Sequence, residues 1–101
     1  MFTLEIGNSG QSQMHFEKQH DLGVDEAKRR VDKIAEQLEQ RFSLGSEWHG
    51  DTLKVTGNGA RGQIAVTGQD IRVNVKLGFA MKLLERPIRS GIQSAMDEYF
   101  V

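Results

Sequence analysis

Three side chains that could bind a metal ion lie close together in the sequence: Glu47, His49 and Asp51. On an extended strand, residues at positions i, i+2 and i+4 point to the same face, and two carboxylates with an imidazole can hold a divalent cation. However, the pair Gly50-Asp51 is typical of a turn, which would break that alternation. Polar residues are also expected on the solvent face of a strand, opposite Trp48. We therefore favour ordinary surface residues, with metal binding as the alternative.

The sequence offers no recognisable catalytic set. No serine lies in the G-x-S-x-G context of a strand-to-helix nucleophile. The glycine-rich residues 57–62 have the spacing of a dinucleotide-binding loop, but the residues that follow predict a strand where such a loop requires a helix. The chain has no cysteine, which excludes disulfides, thiolate zinc sites and thiol catalysis. We expect a protein that is not an enzyme, without catalytic residues and without a bound cofactor.

The basic residues Lys54, Arg72 and Lys76 alternate with apolar neighbours and are predicted to share the solvent face of a sheet. A sheet that binds single-stranded nucleic acid normally adds aromatic platforms, whereas Phe16 and Trp48 are predicted to point inward. Thirteen Lys and Arg residues against fourteen Asp and Glu residues leave a formal net charge of -1. We therefore interpret the basic residues as solvated charges and expect no nucleic-acid partner.

The longest apolar stretch runs from Leu77 to Leu84 and is interrupted only by Gly78 and Lys82. Because the strand alternation stops at Gly78, these side chains cannot all face one core. In one interpretation they form an irregular or helical connection that closes the end of the core. In the other they form an apolar surface that docks to a partner. The candidate hydrophobic docking residues are Phe79, Met81, Leu83 and Leu84.

Two helices are predicted from apolar residues spaced three and four apart. The first begins at Val24 and extends to Phe42, with Gly23 as its N-cap and Gly45 where the chain must leave the helix. The second begins near Glu85 or Arg86, because the only proline of the chain fits its first turn.

Between the helices, alternating apolar residues predict strands around Trp48 and over residues 53–55, 64–66 and 71–77. Short glycine-containing turns separate them, which favours antiparallel hairpins. Another strand, residues 13–18, precedes the first helix. The predicted fold is α+β: a two-layer antiparallel β-meander with two helices packed on one face. Its order is β-α-β-β-β-α, with a fourth strand possible in the meander and a possible extra N-terminal strand.

A chain of 101 residues can support a single core. We predict one domain over residues 12–101, and an N-terminal extension or edge strand over residues 1–11, where Phe2, Leu4 and Ile6 alternate. No apolar stretch approaches the roughly 18 residues of a membrane span. The N-terminal stretch lacks the charged and apolar regions of a signal peptide. We expect a cytoplasmic protein with no transmembrane segment.

Several motifs occur in a characteristic order: HDLGVDEAK at 20–28, WHGD at 48–51, GQIAV at 62–66, IRVNVKLGF at 71–79, and the C-terminal Ile88, Ile92, Met96, Asp97 and Phe100. As an ordered set they resemble the polyhydroxyalkanoic acid system family, small bacterial proteins associated with polyhydroxyalkanoate storage. The resemblance covers about residues 13–100 and leaves out residues 1–11. It implies a role linked to polyester granules and supplies no catalytic residues.

Two functions follow as hypotheses. The first is a non-enzymatic accessory protein of polyhydroxyalkanoate metabolism that docks to a hydrophobic surface or protein partner, either the polyester granule surface or a granule-associated protein. The alternative is a small carrier that binds an acyl chain or other apolar ligand between sheet and helices, by analogy with helix-grip lipid-binding folds. A homodimer is possible in either case, because a sheet edge and an apolar surface are both available.

Overall fold

The computed structural model describes residues 12–100 as five strands, two α-helices and one 3-10 helix. The predicted N-terminal strand over residues 2–6 lies outside the described residues. In chain order the elements are β1 (Ser12–Gln19), α1 (Val24–Phe42), β2 (Gly45–His49), β3 (Thr52–Gly57), β4 (Ala60–Val66), β5 (Asp70–Leu77), the 3-10 helix (Phe79–Leu84) and α2 (Glu85–Tyr99).

The strands form one antiparallel sheet in the order β1-β5-β4-β3-β2. Strands β2 to β5 are a meander, and β1 adds to its far edge by pairing with β5, so that Met14 lies opposite Val75 and Phe16 opposite Val73. Helix α1 carries the chain from the β1 edge across to the β2 edge. The predicted α+β class is confirmed, with four strands in the meander and the predicted strand at residues 13–18 at its edge.

The two faces of the sheet differ in polarity because side chains alternate along each strand. On strand β5, Ile71, Val73, Val75 and Leu77 are buried, while the residues between them are exposed. The buried residues of both helices belong to the same core cluster. We call the helix-covered side the inner face and the other side the outer face; as predicted, the outer face is polar.

Helix α1 begins after Gly23, as predicted, and ends at Ser43, which adopts a left-handed conformation with φ 60° and ψ 38°. The Ser43 N–H donates to the carbonyl of Glu39 at 2.9 Å and so closes the last turn. The predicted exit at Gly45 is therefore wrong, because Gly45 is already the first residue of β2. The predicted start of the second helix is confirmed, since α2 begins at Glu85.

The first turn of α1 carries a cluster of ion pairs around Glu26. Its carboxylate accepts from Arg29 at 2.8 Å and from Arg30 at 3.1 Å. Hydrogen bonds from Arg30 and then Arg29 lower the pKa of Glu26 from its usual 4.5. Arg30 also donates to the carbonyl of Tyr99 at 2.9 Å, which ties the start of α1 to the end of α2.

Candidate functional site

An apolar surface lies where β5 passes into α2. On the 3-10 helix, Phe79 is 77% exposed, Leu83 is 93% exposed and Leu84 is 39% exposed. They are the exposed large hydrophobic side chains of residues 13–100. We call these three residues the apolar lip. Isolated exposed apolar side chains are common, but here three occur within one six-residue segment.

The fourth residue predicted for docking, Met81, lies in the core instead. Its side chain is only 5% exposed. The 3-10 helix covers the end of the sheet, so one side of it must face the interior, and Met81 occupies that side. Met81 therefore leaves the candidate docking surface and anchors it to the core. The interpretation that the run closes the end of the core holds for Met81, while docking stays a prediction for the exposed Phe79, Leu83 and Leu84.

Backbone contacts fix the position of the lip. The N–H of Gly78 donates to the carbonyl of Gly59 at 2.8 Å, and the N–H of Met81 donates to the carbonyl of Gly78 at 3.0 Å. A Cβ at Gly78 would lie 2.9 Å from the Gly59 oxygen, closer than real side chains approach. The absence of a side chain at Gly78 thus lets the 3-10 helix start directly against the β3–β4 turn.

Within residues 12–100, the interior between the sheet and the helices offers little space for a ligand. The pocket between the inner face and the helices, lined by Leu38, Val73 and Ile92 among others, has a volume of about 20 Å³. A cavity of about 10–15 Å³ holds one water molecule, so this pocket is about the size of a single water, and an acyl chain cannot enter it without opening the core. This finding argues against the carrier hypothesis in the described conformation.

The carboxylates and imidazole of 47–51 are not assembled into one site. Glu47 and His49 share a face, with 3.9 Å between the carboxylate and Nε2. Asp51 lies in the predicted turn and accepts from Lys28 at 3.3 Å, while Lys28 also donates to the Gly50 carbonyl at 3.0 Å. Over residues 12–100, no group of three or more His, Asp or Glu side chains is placed to hold a metal ion.

Trp48 connects the edge strand β2 to helix α1. Its indole N–H donates to the Asp32 carboxylate at 2.8 Å, and the Lys28 ammonium lies 4.7 Å from the centre of its ring. The Lys28 ammonium is therefore within range of a cation–π interaction with Trp48, in addition to its hydrogen bonds to the turn at Gly50 and Asp51. Trp48, Gly50 and Asp51 of the WHGD motif thus contact α1, whereas His49 lies beside Glu47 on β2.

His20 has a comparable structural role in the HDLG motif. Its Nδ1 accepts from the Leu22 N–H at 3.0 Å, so Nε2 carries the proton and donates to the Thr67 carbonyl at 3.1 Å. The ring also lies 5.7 Å from that of Phe100. His20 therefore joins the end of β1, the β4–β5 turn and the end of the described chain.

The basic residues of the outer face fall into two groups. Arg72 pairs with Glu17 at 3.5 Å and with Asp70 at 3.4 Å. Lys54 and Lys76 instead lie on an open cleft together with Arg61, which the sequence interpretation missed. Arg61 belongs to this group because it lies opposite Lys76 in the β4–β5 register. Finding it required the register, which the sequence pattern alone left unspecified.

None of the helices in the described part of the chain is long and apolar enough to cross a membrane. Neither curated proteins nor solved structures gave a match to the chain. Residues 14–100 match the family of polyhydroxyalkanoic acid system proteins, which confirms the resemblance found in the sequence motifs. Because this match spans most of its length, the chain belongs to the polyhydroxyalkanoic acid system protein family.

Proposed function

We propose that the protein is a non-enzymatic, cytoplasmic accessory protein of polyhydroxyalkanoate metabolism that docks to a hydrophobic surface through the apolar lip. Membership of the family supports the link to polyhydroxyalkanoate systems. The observation that carries the docking step is the exposure of Phe79 and Leu83 on a segment whose backbone is fixed. The occupant proposed for the lip is the surface of the storage polyester or a protein bound to that surface.

The energetics favour a partner for the lip. Full burial of a Phe or Leu side chain stabilises a complex by about 1.5–3 kcal/mol. Since Phe79 and Leu83 contribute little to the fold in their exposed positions, almost all of that free energy is available for docking. The lip is also held in place before binding, so little conformational entropy is lost when it docks.

The basic residues beside the lip are compatible with docking through the lip. Lys82 lies within the 3-10 helix and Arg86 in the first turn of α2, and both are exposed. Long basic side chains can lay their methylene groups on an apolar surface while their charges stay in water. The non-enzymatic part of the proposal is supported by the motif residues, whose polar groups bind other parts of the fold, as with Trp48 and His20.

The proposal is tested by sedimenting the purified protein with polyhydroxybutyrate particles. The double substitution Phe79→Ser and Leu83→Ser removes the two most exposed apolar side chains and leaves Met81 in the core. Loss of at least about 3 kcal/mol of burial corresponds to more than about a hundredfold weaker binding, so the variant should remain in the supernatant. Its unfolding midpoint in urea should match that of the wild type.

The matched control is Phe79→Leu with Leu83→Met, which changes the same positions but keeps them apolar. This variant should sediment with the particles almost as the wild type does. Equal recovery of the serine variant and the wild type with the particles would reject the docking role of the lip.

A further inference from the structure

We propose that the outer face of the sheet carries a binding site for a phosphate-bearing small molecule, with Lys54, Arg61 and Lys76 as its cationic groups. The site is an open cleft of about 710 Å³ on the face away from the helices. This volume lies within the range of about 300–1,000 Å³ that is usual for small-molecule sites. The proposal concerns a different surface from the apolar lip and does not depend on it.

The strand register brings the three cations together. Arg61 lies directly opposite Lys76 in the β4–β5 pair. Lys54 is the diagonal neighbour of Arg61, because Thr56 is opposite Arg61 and Lys54 is opposite Gln63. Side chains at such positions have Cβ atoms about 5 Å apart when directly opposite and up to about 7–8 Å apart on the diagonal. The three charges can therefore converge on one multiply charged anion.

The three cations form no ion pair with the described residues. Within residues 12–100, neither Lys54, Arg61 nor Lys76 forms an ion pair, and no acidic side chain lines the cleft. Like charges directly opposite each other on neighbouring strands destabilise a sheet. The pair Arg61 and Lys76 is thus unfavourable in the free protein, and a bound anion would relieve that repulsion.

Neutral hydrogen-bonding groups complete the cleft. Gln13, Gln63 and Asn74 line it beside the cations, and Asn74 Oδ1 accepts from His15 Nδ1 at 2.7 Å. That bond orients the Asn74 amide and leaves its N–H groups available to an acceptor. Amide and guanidinium donors around ammonium groups suit phosphate oxygens, and a diphosphate carries enough negative charge to engage three cations.

The cluster is too short to follow a nucleic-acid strand. On one side of it, Arg72 is paired with Glu17 and Asp70. On the other side, Glu47 stands opposite Lys54 in the β2–β3 register. Among the described residues that line the cleft, the one aromatic ring is the imidazole of His15, which is hydrogen-bonded to Asn74, and no Phe, Tyr or Trp provides a larger platform for a base. The basic surface is therefore a local site bounded by acidic residues, which favours a compact anion over a polymer.

The test titrates the full chain with inorganic pyrophosphate and, separately, with ADP, at low and at physiological salt, following backbone amide shifts by NMR. We expect saturable binding of pyrophosphate that weakens with salt and shifts residues of β3, β4 and β5 around the cleft. Equal affinity for ADP would mean that the phosphates alone are recognised. Tighter binding of ADP would also support the site and would identify a nucleotide as the ligand type.

Arg61→Gln with Lys76→Gln should weaken pyrophosphate binding at least about tenfold, because each charge-assisted hydrogen bond to phosphate is strong. The matched control is Arg72→Gln. Arg72 lies on the same face but already pairs with Glu17 and Asp70, so its loss should change pyrophosphate binding less than about twofold. The double variant should also unfold at a higher temperature than the wild type, since it removes the opposed like charges. The proposal would be overturned if pyrophosphate did not bind saturably, or if the Arg72 variant lost as much affinity as the double variant. It would also be overturned if single-stranded RNA, titrated in parallel, bound more tightly than pyrophosphate.

Discussion

The two ends of the sheet use their side chains in opposite ways. At the end where β1 stops and the β2–β3 and β4–β5 turns lie, which we call the motif end, polar groups bind one another. Trp48 donates to Asp32, Lys28 holds Asp51, and His20 bridges to the β4–β5 turn. Asp, Lys and His side chains, which are catalytic or ligand-binding residues in many proteins, here hold parts of the fold together.

At the opposite end, where β1 begins and β5 stops, several side chains have no partner within residues 12–100. The lip residues Phe79 and Leu83 face water, and Lys76 and Arg61 stand opposite each other without a counter-ion among the described residues. We call this the lip end. The exposed apolar side chains and the opposed cations found there do not stabilise the fold. At this end of the sheet the candidate sites are therefore marked by exposure and by missing partners among the described residues, rather than by residue type.

The largest expected effect is a difference in the free energy of unfolding between substitutions of Met81, which anchors the lip, and of Leu83 in the lip. Met81→Ala should lower the free energy of unfolding by about 2–5 kcal/mol, because it leaves a cavity in the core. Leu83→Ala, two residues away but exposed, should change it by no more than about 0.5 kcal/mol. Urea denaturation of both variants measures the difference. If Leu83→Ala cost as much as Met81→Ala, the lip would be part of the core and unavailable for docking.

At the motif end, His20→Ala should cost about 1–3 kcal/mol, because it removes hydrogen bonds to two separate backbone groups at about 0.5–1.5 kcal/mol each. The control is His15→Ala at the outer face, which loses a single exposed side-chain bond to Asn74 and should cost less. Both are read from thermal or urea unfolding at neutral pH. Equal effects of the two substitutions would contradict the structural role assigned to the HDLG motif.

The smallest expected effect is a pH dependence at Glu26. Because Arg30 and Arg29 lower its folded-state pKa below 4.5, the stabilisation is fully present above pH 4.5 and is lost as the pH falls through the lowered value. Glu26→Gln should therefore flatten part of the acid limb of the stability curve, measured by urea unfolding between neutral and acidic pH. Glu36→Gln, at an exposed position of the same helix outside this ion-pair cluster, is the control for the loss of one negative charge.

Much of the fold followed from local patterns. The alternation of Ile71, Val73, Val75 and Leu77 identified both a strand and its buried face, and the proline near Glu85 identified the start of α2. The exit of α1 was misplaced because glycine is only the commonest residue in the left-handed conformation. Here Ser43 adopts it, since buried Leu44 has to turn back into the core.

The candidate sites were only partly accessible to the same reasoning. The apolar run from Phe79 to Leu84 was visible, but no period of two or of 3.6 could tell Met81 from its neighbours on a 3-10 helix that covers the end of a sheet. The cationic cleft was missed for a similar reason. Arg61 and Lys76 are far apart in sequence, and only the pairing of β4 with β5 places them opposite each other.

The sequence by itself determined which segments become helices and strands and which face of each is buried, because those properties follow from side-chain size and spacing along a local backbone. Tertiary structure alone decided which groups have partners within residues 12–100. The imidazole of His20 has them, whereas the lip residues and the opposed cations do not. The physical reason is that contacts between distant segments depend on strand register and helix placement. Both are fixed by the packing of the whole core rather than by any single segment.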